Sequence, residues 1–207
     1  MMNKGQFIVL DGSDGCGKST QTQMLTTYLT ERGAQVVSYR DPGTTVIGEQ
    51  IRAILLNPAH TAMADNTEVL LYMAARAQLW HEHIKPDLAA GRCVVMDRWL
   101  SSTCAYQGCA GGFGVDKVLR IAADALERVW PDATIILDID TAAARQRMNR
   151  SLDRMEQKGD DYHRKVREGF LSLRGKCPNL AVVNAAQPVE SVHAAVVTQL
   201  KAILGWH

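Results

Sequence analysis

The sequence has no C-x-x-C pair, no long hydrophobic run, no surplus of either charge and no internal repeat. Each absence removes a class of protein. The five cysteines (Cys16, Cys93, Cys104, Cys109 and Cys177) are odd in number, which argues against a secreted disulfide framework and for a reducing cytosol. Cys104 and Cys109 have no second Cys/His pair beside them to complete a zinc site. His81 and His83 stand two residues apart and on a helix would not share a face. The uncharged run from Phe7 to Leu10 stops at Asp11, too short for a signal-peptide core or a membrane span. The expectation is therefore a cytoplasmic protein with no membrane partner. A net charge of +1 gives no electrostatic basis for binding a nucleic acid polymer. No linker-like stretch divides the 207 residues, so one domain over 1–207 is expected, long enough to bury a sizeable core.

What is present alternates. Phe7 to Leu10 reads as a buried strand that ends in a glycine-rich turn. Lys18 to Arg32 has helical apolar spacing, with Gly33 placed to cap it. Strands follow over 35–39, 93–96, 134–139 and 180–184. Helices follow over 45–56, 66–90 (with Pro86 predicting a kink or break), 116–126, 141–150, 161–174 and 189–204. A glycine-rich loop is expected over 108–114. Strands alternating with helices imply an α/β fold: a parallel sheet of about five strands covered on both faces in three layers. Ligands of such sheets lie beyond the carboxyl ends of the strands. That rule gathers Asp11, Arg40, Asp41, Asp97, Arg98 and the 185–188 loop around one crevice.

Gly12-Ser13-Asp14-Gly15-Cys16-Gly17-Lys18-Ser19 matches the phosphate-cradling pattern G-x-x-x-x-G-K-[ST] without a mismatch, between a strand and a helix. Glycines let consecutive N–H groups turn inward towards phosphate oxygens, and the helix N-terminus adds its field. Lys18 is placed to reach the β- and γ-phosphates, and the Ser19 hydroxyl to ligate Mg²⁺. Gly12, Ser13, Asp14, Gly15, Cys16, Gly17, Lys18, Ser19 and Thr20 are therefore the candidate ATP-binding residues. The chain contains neither the N-K-x-D guanine-reading motif nor a G-x-G-x-x-G dinucleotide fingerprint. The other half of the reaction has to be read elsewhere.

Further pieces occur in a fixed order: Arg40-Asp41-Pro42-Gly43-Thr44-Thr45, Arg52, Tyr72-Met73-Ala74-Ala75-Arg76, Asp97-Arg98-Trp99, the run Ser101 to Gly108, Leu152-Asp153-Arg154-Met155-Glu156-Gln157, and Gln187-Pro188. This ordered set resembles the bacterial thymidylate kinase family, from about Phe7 to the last helix. The resemblance implies a P-loop kinase that transfers the γ-phosphoryl group of ATP to dTMP, with Mg²⁺, as a homodimer. It implies that Tyr72 stacks on the base, that Arg76 and Gln107 read the base, and that Arg52 and Arg98 hold the acceptor phosphate. Asp14 would lie near the deoxyribose, Tyr106 would crowd out a ribose 2′-hydroxyl, and Pro42 and Ser102 would line the acceptor site. Asp97 would join Ser19 in the Mg²⁺ shell, and the Gln187 loop would border adenine.

The segment 145–160, with Arg145, Arg147, Arg150 and Arg154, resembles the family's mobile lid. That lid supplies the arginine that is missing from the P-loop here, where Gly15 stands. Arg147 and Arg154 are the expected catalytic pair from this segment, beside Lys18, Asp97 and Arg98. Five positions depart from the usual pattern. They are Asp11, Asp41 and Thr44, Tyr72 in place of phenylalanine, and Trp99 in place of tyrosine or histidine. They bear on base specificity more than on reaction type and leave open a kinase for another nucleoside monophosphate or a deoxynucleoside; a third reading, a nucleotide-binding module without catalysis, is opposed by the intact Lys18, Ser19, Asp97 and Arg98 set.

Overall fold

The structure, a computed structural model, describes residues 5–148 and 151–206. Its centre is a five-stranded, all-parallel sheet in the order β2-β3-β1-β4-β5. The strands are β1 (Phe7–Asp11), β2 (Val36–Arg40), β3 (Cys93–Asp97), β4 (Ala133–Asp138) and β5 (Leu180–Asn184). Central β1 shows why its apolar run reads as buried. Successive side chains point to opposite faces, so Phe7 and Val9 enter one core and Ile8 and Leu10 the other, all fully buried.

Helices close both faces. They are α1 (Lys18–Thr30), α2 (Val46–Leu56), α3 (Asp65–Leu79), α4 (Lys85–Ala89), α5 (Leu100–Thr103), α6 (Val115–Ala125), α7 (Thr141–Gln146), α8 (Asp160–Ser172) and α9 (Val189–Leu204). Thr45 caps α2, its hydroxyl accepting from the Gly48 N–H at 2.8 Å. Asp140 caps α7 through Ala142 N–H at 2.9 Å. Among the described residues no helix is long and apolar enough to cross a membrane.

Three expectations need correction. The helix expected over 66–90 is not broken at Pro86. A π-helical turn over Trp80–Ile84 joins α3 to α4, and Lys85 N–H reaches back five residues to the Trp80 carbonyl. This wider turn just before Pro86 accommodates the ring and its missing donor. The glycine-rich loop shrinks, because α5 runs on into a second π-helical stretch, Cys104–Ala110, that no periodicity announced. Its side chains from Cys104 to Gly108 are all buried, so no polar face marks a helix in the sequence. The helix expected over 141–150 ends at Gln146, and residues 149 and 150, Arg150 among them, lie outside the described residues. α8 packs on the second π stretch through Gly169, where a Cβ would fall 2.9 Å from that of Cys109 and 3.1 Å from Ala105 Cα. Only glycine allows so close an approach.

Candidate active site

Register brings the chemistry together. Leu10 pairs with Asp97, Asp11 with Ile136, and Arg40 with Asp97, so the acidic strand ends lie side by side at one edge of the sheet. The P-loop leaves β1 there and enters α1. Gly17 caps α1 at φ 94°, a left-handed value that favours glycine, and no acidic residue in the first turn offsets the helix field. Lys18 is buried, and its Nζ donates to the carbonyls of Gly12 (3.1 Å) and Ser13 (2.9 Å). The Cys16 thiol packs beneath it, and burial pushes its pKa up, so it stays a protonated thiol at neutral pH.

Across the crevice, β3 ends in Asp97. Arg98 follows at φ 72°, strained for a residue with a Cβ. Its guanidinium points back at the P-loop. Nη1 donates to the Gly12 carbonyl (3.0 Å) and Ser102 Oγ (2.9 Å), and Nη2 pairs with Asp14. Burial pushes the Asp14 carboxyl up, but Arg98, Lys18 and the Tyr106 hydroxyl override it and hold the group well below the usual carboxylate range. The Tyr106 hydroxyl donates to Asp14 Oδ2 at 2.7 Å, and burial followed by that carboxylate drives the phenol far above its ordinary pKa. Asp11 ties the two sides together by accepting from Gly12 N–H, Ser101 and Ser102.

Two cavities meet at this point. The larger, about 950 Å³, is lined by Asp14 through Gln21, Asp97, Arg98, Arg147, Gln187 and Pro188. The smaller, about 90 Å³, is lined by Pro42, Tyr72, Arg76, Ser102, Tyr106 and Gln107, with Asp153, Met155 and Glu156 as one wall. Asp14, Asp41, Arg52 and Arg98 belong to both. Lys18 and Arg98 thus face one continuous space. Ser19 Oγ donates to Asp97 Oδ2 at 3.1 Å, which sets a hydroxyl and a carboxylate side by side. These are hard oxygen donors that suit Mg²⁺, an ion that keeps most of its waters and takes few protein ligands.

Not every candidate points where it was expected. Arg76 is almost wholly buried. Its Nε donates to Asp41 Oδ2 at 2.7 Å and its Nη2 to Trp99 O and Thr103 Oγ1, so Asp41 and the backbone fix its guanidinium in the cavity wall. Arg52 Nη1 donates to the Pro42 carbonyl at 2.9 Å, on the border of both cavities. Among the described arginines of the segment 145–160, Arg147 lines the large cavity and bonds the Ala185 carbonyl. Arg145 pairs at the surface with Asp160. Arg154 does not reach the phosphate crevice, because its guanidinium is held by the Leu55 carbonyl at 2.7 Å and Glu68 at 2.5 Å. That corrects its placement among the phosphate-facing groups.

Gly15 explains why the P-loop carries no side chain at that position. At φ 78°, its Cβ would stand 2.2 Å from the Ala144 carbonyl oxygen in α7. Glu68, which the motif reading missed, bonds Gln107 in the wall of the smaller cavity. The signal was present, since Glu68, Tyr72 and Arg76 follow one another at i, i+4 on α3 and so form one stripe.

Residues 10–196 match the thymidylate kinase family. The chain is 41% identical over 205 residues to the thymidylate kinase of Clostridium novyi, covering 97% of this chain and all of that one. It is 40% identical to the thymidylate kinase of Exiguobacterium sibiricum, covering 95% and 96% of the two chains. Among solved structures, the thymidylate kinase of Ehrlichia chaffeensis superposes with a TM-score of 0.78 at 29% identity, over 96% of this chain and 99% of that one. A phosphate cradle and an arginine-ringed second cavity that meet at the sheet edge are what such an enzyme requires, and the chain belongs to the thymidylate kinase family.

Proposed function

We propose that this chain transfers the γ-phosphoryl group of ATP to dTMP, giving ADP and dTDP. The observation that carries the reading is the meeting of the two cavities at Asp14, Asp41, Arg52 and Arg98, with Lys18 on one side and Tyr72 and Gln107 on the other. ATP lies along the P-loop with adenine towards Gln187 and Pro188, and dTMP places its base between Tyr72, Arg76 and Gln107. The nucleophile is a phosphate oxygen. With a second pKa of about 6 it is already mostly dianionic at neutral pH, so no strong general base is needed.

The protein's task is to hold two anions in line and shield their repulsion. Lys18 takes the β- and γ-oxygens. Arg52 and Arg98 take the acceptor phosphate, a planar donor fork matching its oxygens. Asp14, ionised throughout the neutral range, yields Arg98 to the incoming phosphate and accepts from the sugar hydroxyl. Ser19 and Asp97 would hold Mg²⁺, which when bound neutralises charge on the transferring phosphoryl group. Arg147 supplies the lid cation. The setting is one kinase domain with a lid over 145–160, working in the cytoplasm as a homodimer.

An ADP-release assay over dTMP, dUMP, dCMP, dGMP and the free nucleosides tests the reading. The expected result is dTMP turned over ahead of the panel, with Lys18→Ala and Arg98→Ala each losing roughly a hundredfold or more in kcat while remaining folded. Near-wild-type activity in either folded variant removes these roles. Faster turnover of another monophosphate transfers the acceptor pocket to that substrate.

A further inference from the structure

Glu68 lies on α3 with its side chain buried, yet it faces two cationic or donor groups from different parts of the chain. Its Oε1 accepts from Gln107 Nε2 at 2.7 Å. Its Oε2 accepts from Arg154 Nη2 at 2.5 Å, and the Glu68 and Arg154 side chains are only 7% and 11% exposed. Gln107 lines the smaller cavity. Arg154 belongs to the lid, and its segment is also fastened to the end of α2, with Arg154 N–H on the Leu56 carbonyl and Nε on the Leu55 carbonyl. The next residues, Met155 and Glu156, form the wall of that same cavity. One carboxylate therefore joins the floor of the acceptor cavity to its cover.

The cavity's size gives this join a purpose. At about 90 Å³ it is smaller than the roughly 300 Å³ at the low end of ligand pockets. The wall of Asp153, Met155 and Glu156 narrows it, and Arg154 fastens that wall to Glu68 and to the Leu55 and Leu56 carbonyls. A second tie runs parallel, from the Tyr162 hydroxyl on α8 to the Tyr106 carbonyl at 3.0 Å. It ends on backbone and does not touch a base-facing side chain.

We infer that Glu68 is a positioning residue that couples acceptor recognition to lid closure: it holds Gln107 in its base-reading orientation only while it clasps Arg154. An acceptor that engages Gln107 stabilises the Glu68–Arg154 pair and so the closed lid. Without that engagement the lid opens more readily and transfer is not committed. The inference rests on the reading of the smaller cavity as the acceptor site.

Glu68→Gln keeps the volume but presents an N–H₂ to one of its two donor partners, so only one link survives. Arg154→Lys keeps a cation but not the fork that spans both partners, and Arg154→Met removes the Glu68 link together with the bond to the Leu55 carbonyl, so the cycle is read in KM for dTMP, which the Leu55 bond does not touch. The expected kinetics are a rise of about tenfold or more in KM for dTMP in Glu68→Gln, the scale of losing a hydrogen bond to a charged group, with a smaller change in kcat. ATP hydrolysis without acceptor should rise relative to transfer. The double variant should be no worse than Glu68→Gln, since both changes break one coupled unit. Hydrogen exchange over 152–162 gives a readout independent of turnover. In the wild type dTMP should slow it, and in Glu68→Gln it should be faster and insensitive to dTMP.

A folded Glu68→Gln with wild-type KM and wild-type exchange overturns the inference, as do independent, multiplying effects in the double variant. If the wild type turns over no monophosphate, the functional reading fails by itself. Exchange over 152–162 in the free protein then still decides whether Glu68 holds the lid.

Discussion

Asp14 shows how much of this site is decided by a single side chain's neighbours. The P-loop pattern allows any residue at that position. Here the carboxylate lies between the Arg98 guanidinium and the Tyr106 hydroxyl, which keep it ionised despite burial. A carboxyl with a depressed folded pKa stabilises the fold fully above its unfolded value of about 3.9, and the stabilisation is lost as pH falls through the folded value. The stability advantage of wild type over Asp14→Asn should therefore be level from pH 8 to about 5 and shrink below about 4. Urea denaturation across that range measures it, and a constant gap down to pH 3 would count against the Asp14–Arg98 pair. Lys18, Ser19, Asp97 and Arg98 were legible as site residues because their motifs tie residue type to position. Asp41 was legible at the crevice but not as the partner of Arg76, and Glu68 was not legible at all, because these contacts to Arg76, Gln107 and Arg154 span 35, 39 and 86 residues.

Among the elements, the short α7 presses on the P-loop at a single backbone point. The Ala144 carbonyl stands where a Gly15 Cβ would need to be, whereas Gly17, equally left-handed, has open space around its Cβ position. Gly15→Ala should cost the backbone strain of about 1–3 kcal/mol and the collision as well, and Gly17→Ala the strain alone. Chemical denaturation of the two variants should rank Gly15→Ala as the less stable, with α7 displaced and ATP binding weakened. Equal stability would mean that α7 gives way at no cost. The strands and most helices were legible because apolar runs and 3.6-residue spacing survive in them. The π-helical stretch 104–110 was not, because α6 and α8 pack on it and residues 104–108 are buried in succession, leaving no polar stripe. The turn at 80–84 was hidden for another reason: Pro86 signals a conflict with the α-helix without stating how it is resolved.

For the whole molecule, the sheet order decides what the separate motifs cannot. Placing β1 between β3 and β4 sets the P-loop opposite Asp97 and Arg98 and makes one space from two half-sites. The outer surface also carries a signal. Ile47, Ile54 and Leu70, on the mutually packed helices α2 and α3, are 50%, 44% and 56% exposed, and exposed large apolar side chains are what a self-association face would use. Sedimentation should give a mass near twice 22.8 kDa, and Leu70→Asp should shift it towards the monomer. A monomeric wild type at micromolar concentration would remove the homodimer reading. The sequence by itself determined the fold class, the phosphate cradle and the list of charged groups, because local spacing and residue chemistry are written along the chain. Tertiary structure alone decided which arginines line the cavity beside the P-loop, which is clasped by a carboxylate, and which glycine has no room for a side chain. Those outcomes depend on distances between residues far apart in the chain, and no local pattern records them.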